Sequence, residues 1–183
     1  MLNEKQKQQL HEVAQRSIEY GLDNNEPLKI KLSDYDQDLQ TKRASFVTLH
    51  KNKQLRGCIG ILEPLRPLVE DVSHNAFAAA FSDNRFPPVN SGELSQLDIH
   101  ISILGTPEEI IFDSEDELIS QLKPGVDGLI LEEGRLKGTF LPSVWESLPD
   151  RHDFINHLKM KTGLPADYWS DSIRVQRYTV EDF

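Results

Sequence analysis

Apolar residues recur along the first segment at Leu10, Val13, Ile18 and Leu22, with polar residues between them. This spacing predicts an amphipathic helix, with Gly21 able to end it in the left-handed conformation. A loop, "DNNEP", follows. Residues 31–43 are polar without a clear period, which predicts irregular structure. From Ala44 the pattern changes. Phe46, Val47, Thr48 and Leu49 favour a strand, "KNKQ" offers a turn in which Asn52 takes positive φ, and a second strand over residues 55–62 completes a hairpin. A change of one residue in loop length decides whether Cys58 faces the side of Val47 or that of Phe46, and the pattern leaves both open. Within the second strand, alternation puts Arg56 and Cys58 on one face.

Prolines 64 and 67 suit a loop and a first helical turn. Leu68, Val69, Val72, Ala76, Ala79 and Ala80 then form a single apolar stripe, so a helix with one buried face ends near Asp83. "NRFPPV" reads as a rigid extended loop, because each proline fixes φ and restrains the residue before it. Ile99, Ile101 and Ile103 alternate with His100 and Ser102, the pattern of a half-buried strand. Ser114 and Glu117 stand at capping-box spacing before a short helix. "LKPGVDG" breaks it, and "LILEEGRLKGTFL" reads as a second hairpin around Glu133 and Gly134. Asp150 can cap a further helix that carries Phe154 and Leu158 on one face and ends at Gly163. "SIRVQRYTV" closes the chain as a strand. Mixed elements with two hairpins give an α+β class: mainly antiparallel, with helices covering one side of a sheet.

Composition narrows the picture. The chain has 183 residues, 38% of them hydrophobic and 27% charged, which fits one domain over residues 1–183, alone or with two lobes. A mean hydropathy of −0.48 and the lack of a long apolar run argue against a membrane span. The first residues carry charges but no apolar stretch for a signal peptide, and the chain's one cysteine cannot form an internal disulfide. The expected compartment is reducing, the cytoplasm. A net charge of −10 argues against broad nucleic-acid binding. The basic residues Lys42, Arg43, Lys51, Lys53 and Arg56 read as a solvated hairpin tip.

The lone cysteine sits in "LRGCIG". A thiol reacts as thiolate, which a nearby cation such as Arg56 favours, and Gly57 and Gly60 let a ligand or another backbone come close. Set against that, free cysteines are usually packed and inert. A nucleophile would need a base, for which His50, His74 and His100 are candidates, with Asp83 or Asp98 as orienter. No metal site is expected: no His-x-His or His-x-x-x-His pair exists, and His152 and His157, five apart, lie on different helix faces. "RGCIG" lacks a Walker lysine, so phosphate binding there is not expected either. "DNRFPP" is the second unusual stretch. Its Asp83 and Arg85 flank a stiff loop suited to recognising an anion or a partner, or simply pair to hold that loop.

Together, "FVTL…LRGCIG" and "DNRFPP" resemble the AMMECR domain family, whose bacterial and archaeal members are called protein A of the AmmeMemoRadiSam system. The likeness continues downstream. "GELSQLDIHISIL" is similar to the family's Glu-x-Leu stretch and following strand, and "VDGLIL" to its Gly-Leu/Ile strand. "GTFLPSVW", with Leu141, Pro142 and Val144 in place, looks like its Thr-x-Leu-Pro-x-Val segment, and "KTGLP" and "VQRYT" also fit. It covers roughly residues 44–179. The resemblance implies an α+β fold with two unequal lobes and a cleft near "LRGCIG". It also implies work alongside a Memo-like protein and a radical-SAM enzyme, with no cofactor identified. Carried over by matching position, Arg56, Gly57, Gly60, Asp83, Arg85 and Phe86 are the expected binding residues for a small ligand or peptide. Cys58 is the one candidate catalytic residue. None of the histidines falls in the "LRGCIG" or "DNRFPP" block.

Overall fold

The computed structural model describes residues 1–183. In chain order its helices are α1 (Glu4–Asn24), α2 (Gln37–Gln40), α3 (Leu68–Phe81), α4 (Glu115–Gln121) and α5 (Arg151–Thr162). Its strands are β1 (Ser45–Lys51), β2 (Gln54–Gly60), β3 (Leu97–Leu104), β4 (Glu108–Glu109), β5 (Gly128–Glu133), β6 (Leu136–Phe140), β7 (Arg174–Tyr178) and β8 (Val180–Asp182). They form two four-stranded sheets, ordered β2-β1-β3-β8 and β4-β7-β5-β6, in the α+β, mainly antiparallel class the pattern predicted. The chain divides into two compact units. One is Met1–Leu104 with Glu181–Phe183, and the other is Gly105–Val180.

In the first unit, β1 pairs antiparallel with both β2 and β3. The β1–β2 hairpin turns on Asn52 and Lys53, at φ 52° and 63°. Two successive positive φ values are the signature of a tight two-residue turn whose twist matches the strands it joins. Val47 opposes Ile101 on β3, and Val47, Leu49, Ile101 and Ile103 are fully buried with Leu10, Val13 and Ile18 of α1 and Leu68, Val72 and Ala76 of α3. The predicted stripe of α3 is thus the buried one. A buried polar cluster pins the start of β1 to α3. Asp71 accepts from the Ser45 amide (3.0 Å) and hydroxyl (2.7 Å) and from Asn75 (2.9 Å), and Arg66 reaches its other oxygen. Burial pushes the Asp71 carboxyl above its ordinary pKa against these bonds.

Gly21 does not end α1. The helix runs to Asn24, and Asn25 takes the left-handed position at φ 54°. Gly21 is buried inside the helix, where a Cβ would strike the rings of Phe77 and Phe81. The glycine serves close helix packing rather than termination.

In the second unit, β5 pairs with β6 and β7, all antiparallel, and Gly134 turns the β5–β6 hairpin at φ 59°. Trp145 stacks on Phe154 (3.7 Å between ring centroids) over a core of Leu129, Leu131, Leu158 and Val175. Asp150 caps α5 through the His152 and Asp153 amides and Gly163 ends it at φ 94°, as predicted. Ser114 caps α4, but Glu117 turns to the Asp113 amide instead of closing the box. The predicted closing strand is two strands, β7 and β8, which belong to different sheets and part at Thr179.

Candidate functional site

The register of the hairpin decides where the cysteine points. Thr48 lies directly opposite Cys58, so Cys58 shares a face with Phe46 and Thr48 and turns away from Val47. It is not sealed under α3. The residues of β2 that face the helix are its neighbours, and a Cβ on Gly57 would collide with the Ala79 carbonyl oxygen. Gly57 therefore admits a backbone, that of α3. Gly60 likewise leaves room for the Phe46 ring. Cys58 itself is half-buried, and the Thr48 hydroxyl donates to its sulfur at 3.2 Å.

Past the end of α3, Asp83 turns inward. Its Oδ2 accepts the Cys58 amide at 2.9 Å, and Arg85 grips both carboxylate oxygens, Nε to Oδ1 at 2.9 Å and Nη2 to Oδ2 at 2.6 Å. Nη2 also reaches the Cys58 carbonyl at 3.4 Å. The peptide groups on both sides of Cys58 are thus held by one acid and one base. The Arg85 hydrogen bonds, with the Cys58 amide, hold the Asp83 carboxyl far below the usual carboxylate range. Asp83 is 4% exposed and Arg85 52%, so the guanidinium keeps an open edge. Its plane lies by the half-buried Phe86 (5.5 Å), and the loop beyond is docked by the Val89 amide on the Ala80 carbonyl. Asp83, Arg85, Phe86 and Cys58 come together here.

Arg56 does not join them. The register steps from Leu49–Gly57 to His50–Leu55 and leaves Arg56 unpaired, a bulge that breaks the alternation. The expectation that Arg56 shares a face with Cys58 fails for this reason. Its guanidinium instead forks onto Glu93 at 3.1 and 3.0 Å, and Lys51 and Asn90 bind the same carboxylate. Arg56 and Lys51 draw the Glu93 pKa down to about 2. Arg56 Nη1 is buried without a partner.

The histidines are apart from the thiol. His100 faces Thr48 from β3, two strands from Cys58, so their backbones are separated by roughly 9–10 Å. It bonds Asp98 at 3.1 Å and meets the His50 ring edge-on at 5.2 Å. Asp98 thus orients a histidine, while Asp83 is taken by Arg85. His74 is exposed on α3. No imidazole is bonded to Sγ.

Sequence reasoning missed Thr48 and Glu93. Thr48 becomes visible only once the register is known, and Glu93 carried a signal only as part of the "GELSQL" resemblance. No group of three or more potential metal ligands converges in this chain.

Two antiparallel sheets with flanking helices, and a lone cysteine clamped between an Asp and an Arg of one loop, define an α+β domain of a particular kind. The chain belongs to the AMMECR1 family, whose model matches residues 11–183. It is 39% identical over 163 residues to Protein MJ0810 of Methanocaldococcus jannaschii, covering 85% of this chain and 79% of that protein. It is 40% identical over 187 residues to Protein SSO0193 of Saccharolobus solfataricus, covering 97% and 80%. The fold is similar to the crystal structure of the uncharacterized protein PH0010 from Pyrococcus horikoshii. The TM-score is 0.88 at 34% identity, covering 99% of this chain and 92% of that one.

Proposed function

We propose that the chain is a binding domain whose recognition surface is the Cys58–Asp83–Arg85 cluster, acting alongside Memo-like and radical-SAM proteins in the cytoplasm. Its ligand is a small molecule or partner peptide that presents a carboxylate or phosphate to Arg85. The observation that carries this reading is the asymmetry of the Asp83–Arg85 pair, which fixes the peptide groups around Cys58 while leaving the Arg85 side chain half exposed. A fixed fork with an open edge suits an anionic group. Arg56, held by Glu93 through Nε and Nη2, is not part of that surface. The test is protection of Cys58 from iodoacetamide by the Memo-like and radical-SAM proteins. Protection is expected for the native chain and lost for Arg85→Gln. Equal labelling with and without these proteins sinks the reading.

A second reading makes Cys58 a nucleophile or redox-active thiol. The Thr48 hydroxyl donating to the sulfur of the half-buried Cys58 favours it. It requires labelling whose pH midpoint lies below that of a free cysteine, and an ordinary midpoint excludes it. If Cys58→Ala leaves association with the two proteins intact, the domain acts as a scaffold subunit.

A further inference from the structure

The second unit carries a cavity of about 340 Å³, independent of the cysteine cluster. Three segments wall it: residues 110–113 beyond β4, the start of β7, and the loop through Trp169 and Asp171. The first two segments are tied together by the Ile110 amide on the Val175 carbonyl at 2.9 Å. Phe112 and Trp169 stand side by side on its wall, ring centroids 5.7 Å apart and planes inclined by 53°. Both rings pack on the core from below, so they are fixed rather than free. Ile111, 75% exposed, adds an apolar flank.

The polar lining is one-sided. Glu109, Asp113 and Asp171 border the cavity, and none of these carboxylates takes part in an ion pair or a side-chain hydrogen bond within the chain. Arg174 is the single cation on the rim. Trp169 already lies 5.9 Å from a cation, the buried Lys159 ammonium, whose charge Glu115 neutralises. Two fixed aromatic rings beside unpaired carboxylates match an organic cation. The ring faces are negative, the carboxylates supply net charge, and the apolar flank covers a stem.

We propose that this cavity binds a protonated or quaternary amine on a short apolar stem, supplied by a free small molecule or by a lysine-type side chain of a peptide.

The test uses choline and its neutral isostere 3,3-dimethyl-1-butanol, titrated into the full chain while the Trp169 indole N–H resonance is followed. Choline is expected to shift that resonance and to bind at least ~10-fold more tightly than the alcohol. Asp113→Asn with Asp171→Asn is expected to weaken choline ~10-fold, and added salt to weaken it further. Both aspartates are exposed, so the folded chain survives the change. A short peptide bearing trimethyllysine is the second arm: tighter binding than choline assigns the cation to a peptide, equal or weaker binding to a free amine. Equal affinity for choline and the alcohol, no effect of the double substitution, or a Trp169 resonance silent to both cations overturns the proposal.

Discussion

Two arginine–carboxylate pairs flank the same strand and do different things. Arg56 and Glu93, each 11% exposed, are sealed against each other, and the more exposed Lys51 and Asn90 bond the same carboxylate. Asp83 is equally sealed, but its partner Arg85 is 52% exposed. The first pair spends all of the carboxylate's capacity inside the fold and stabilises the bulge that carries it. The second buries only the acid and leaves the base facing solvent. Identical chemistry thus gives a sealed clamp around one arginine and an arginine open to solvent at the other pair, and only the open one is available for the recognition proposed above.

The comparison is broken most severely at the sealed pair. Glu93→Gln leaves the Arg56 charge buried and unmatched and should cost about 3–5 kcal/mol, read from urea unfolding. Gly57→Ala, which drives a methyl into the Ala79 carbonyl between the two pairs, should cost about 1–3 kcal/mol. Acid sharpens the contrast without mutation. Glu93 and Asp83 both have depressed pKa values when folded, so their stabilisation is fully present above the ordinary carboxylate range and is lost as pH falls, through about 2 for Glu93 and lower still for Asp83. Removing Glu93 should flatten unfolding free energy against pH in that window. At the open pair, Arg85→Gln takes the guanidinium from the buried Asp83 carboxylate but leaves it the Cys58 amide, and should cost about 1–3 kcal/mol, less than Glu93→Gln. If Arg85→Gln proves as damaging as Glu93→Gln, the distinction between clamp and surface collapses.

Much of the first unit was legible in the chain. The "KNKQ" turn, the α3 stripe and the Ile101–Ile103 alternation depend on local periodicity, and periodicity survives folding. The Asp83–Arg85 pair was legible because its members are two residues apart. Arg56 was not, since one unpaired residue in β2 reverses every inference from alternation. Gly21 misled because a glycine that permits a left-handed turn and one that permits two helices to touch look the same in sequence. Beyond the "GELSQL" resemblance nothing marked Glu93, because its partners, Arg56 and Lys51, meet it only through the tertiary fold. The final strand read as continuous because its residues all favour β structure, and only pairing reveals that Thr179 divides it between two sheets.

That division has a consequence for how the protein is made. The second unit is one unbroken stretch, Gly105–Val180, and has all its strands once Val180 has left the ribosome. The first unit is nearly complete earlier, yet β3 keeps a bare edge until the residues after Val180 arrive, when Ile101 and Phe183 exchange bonds of 2.8 and 3.1 Å. An open strand edge is a template for the wrong neighbour. The first unit therefore carries that template for as long as the second unit is being made, and pairing with the segment at Phe183 covers it.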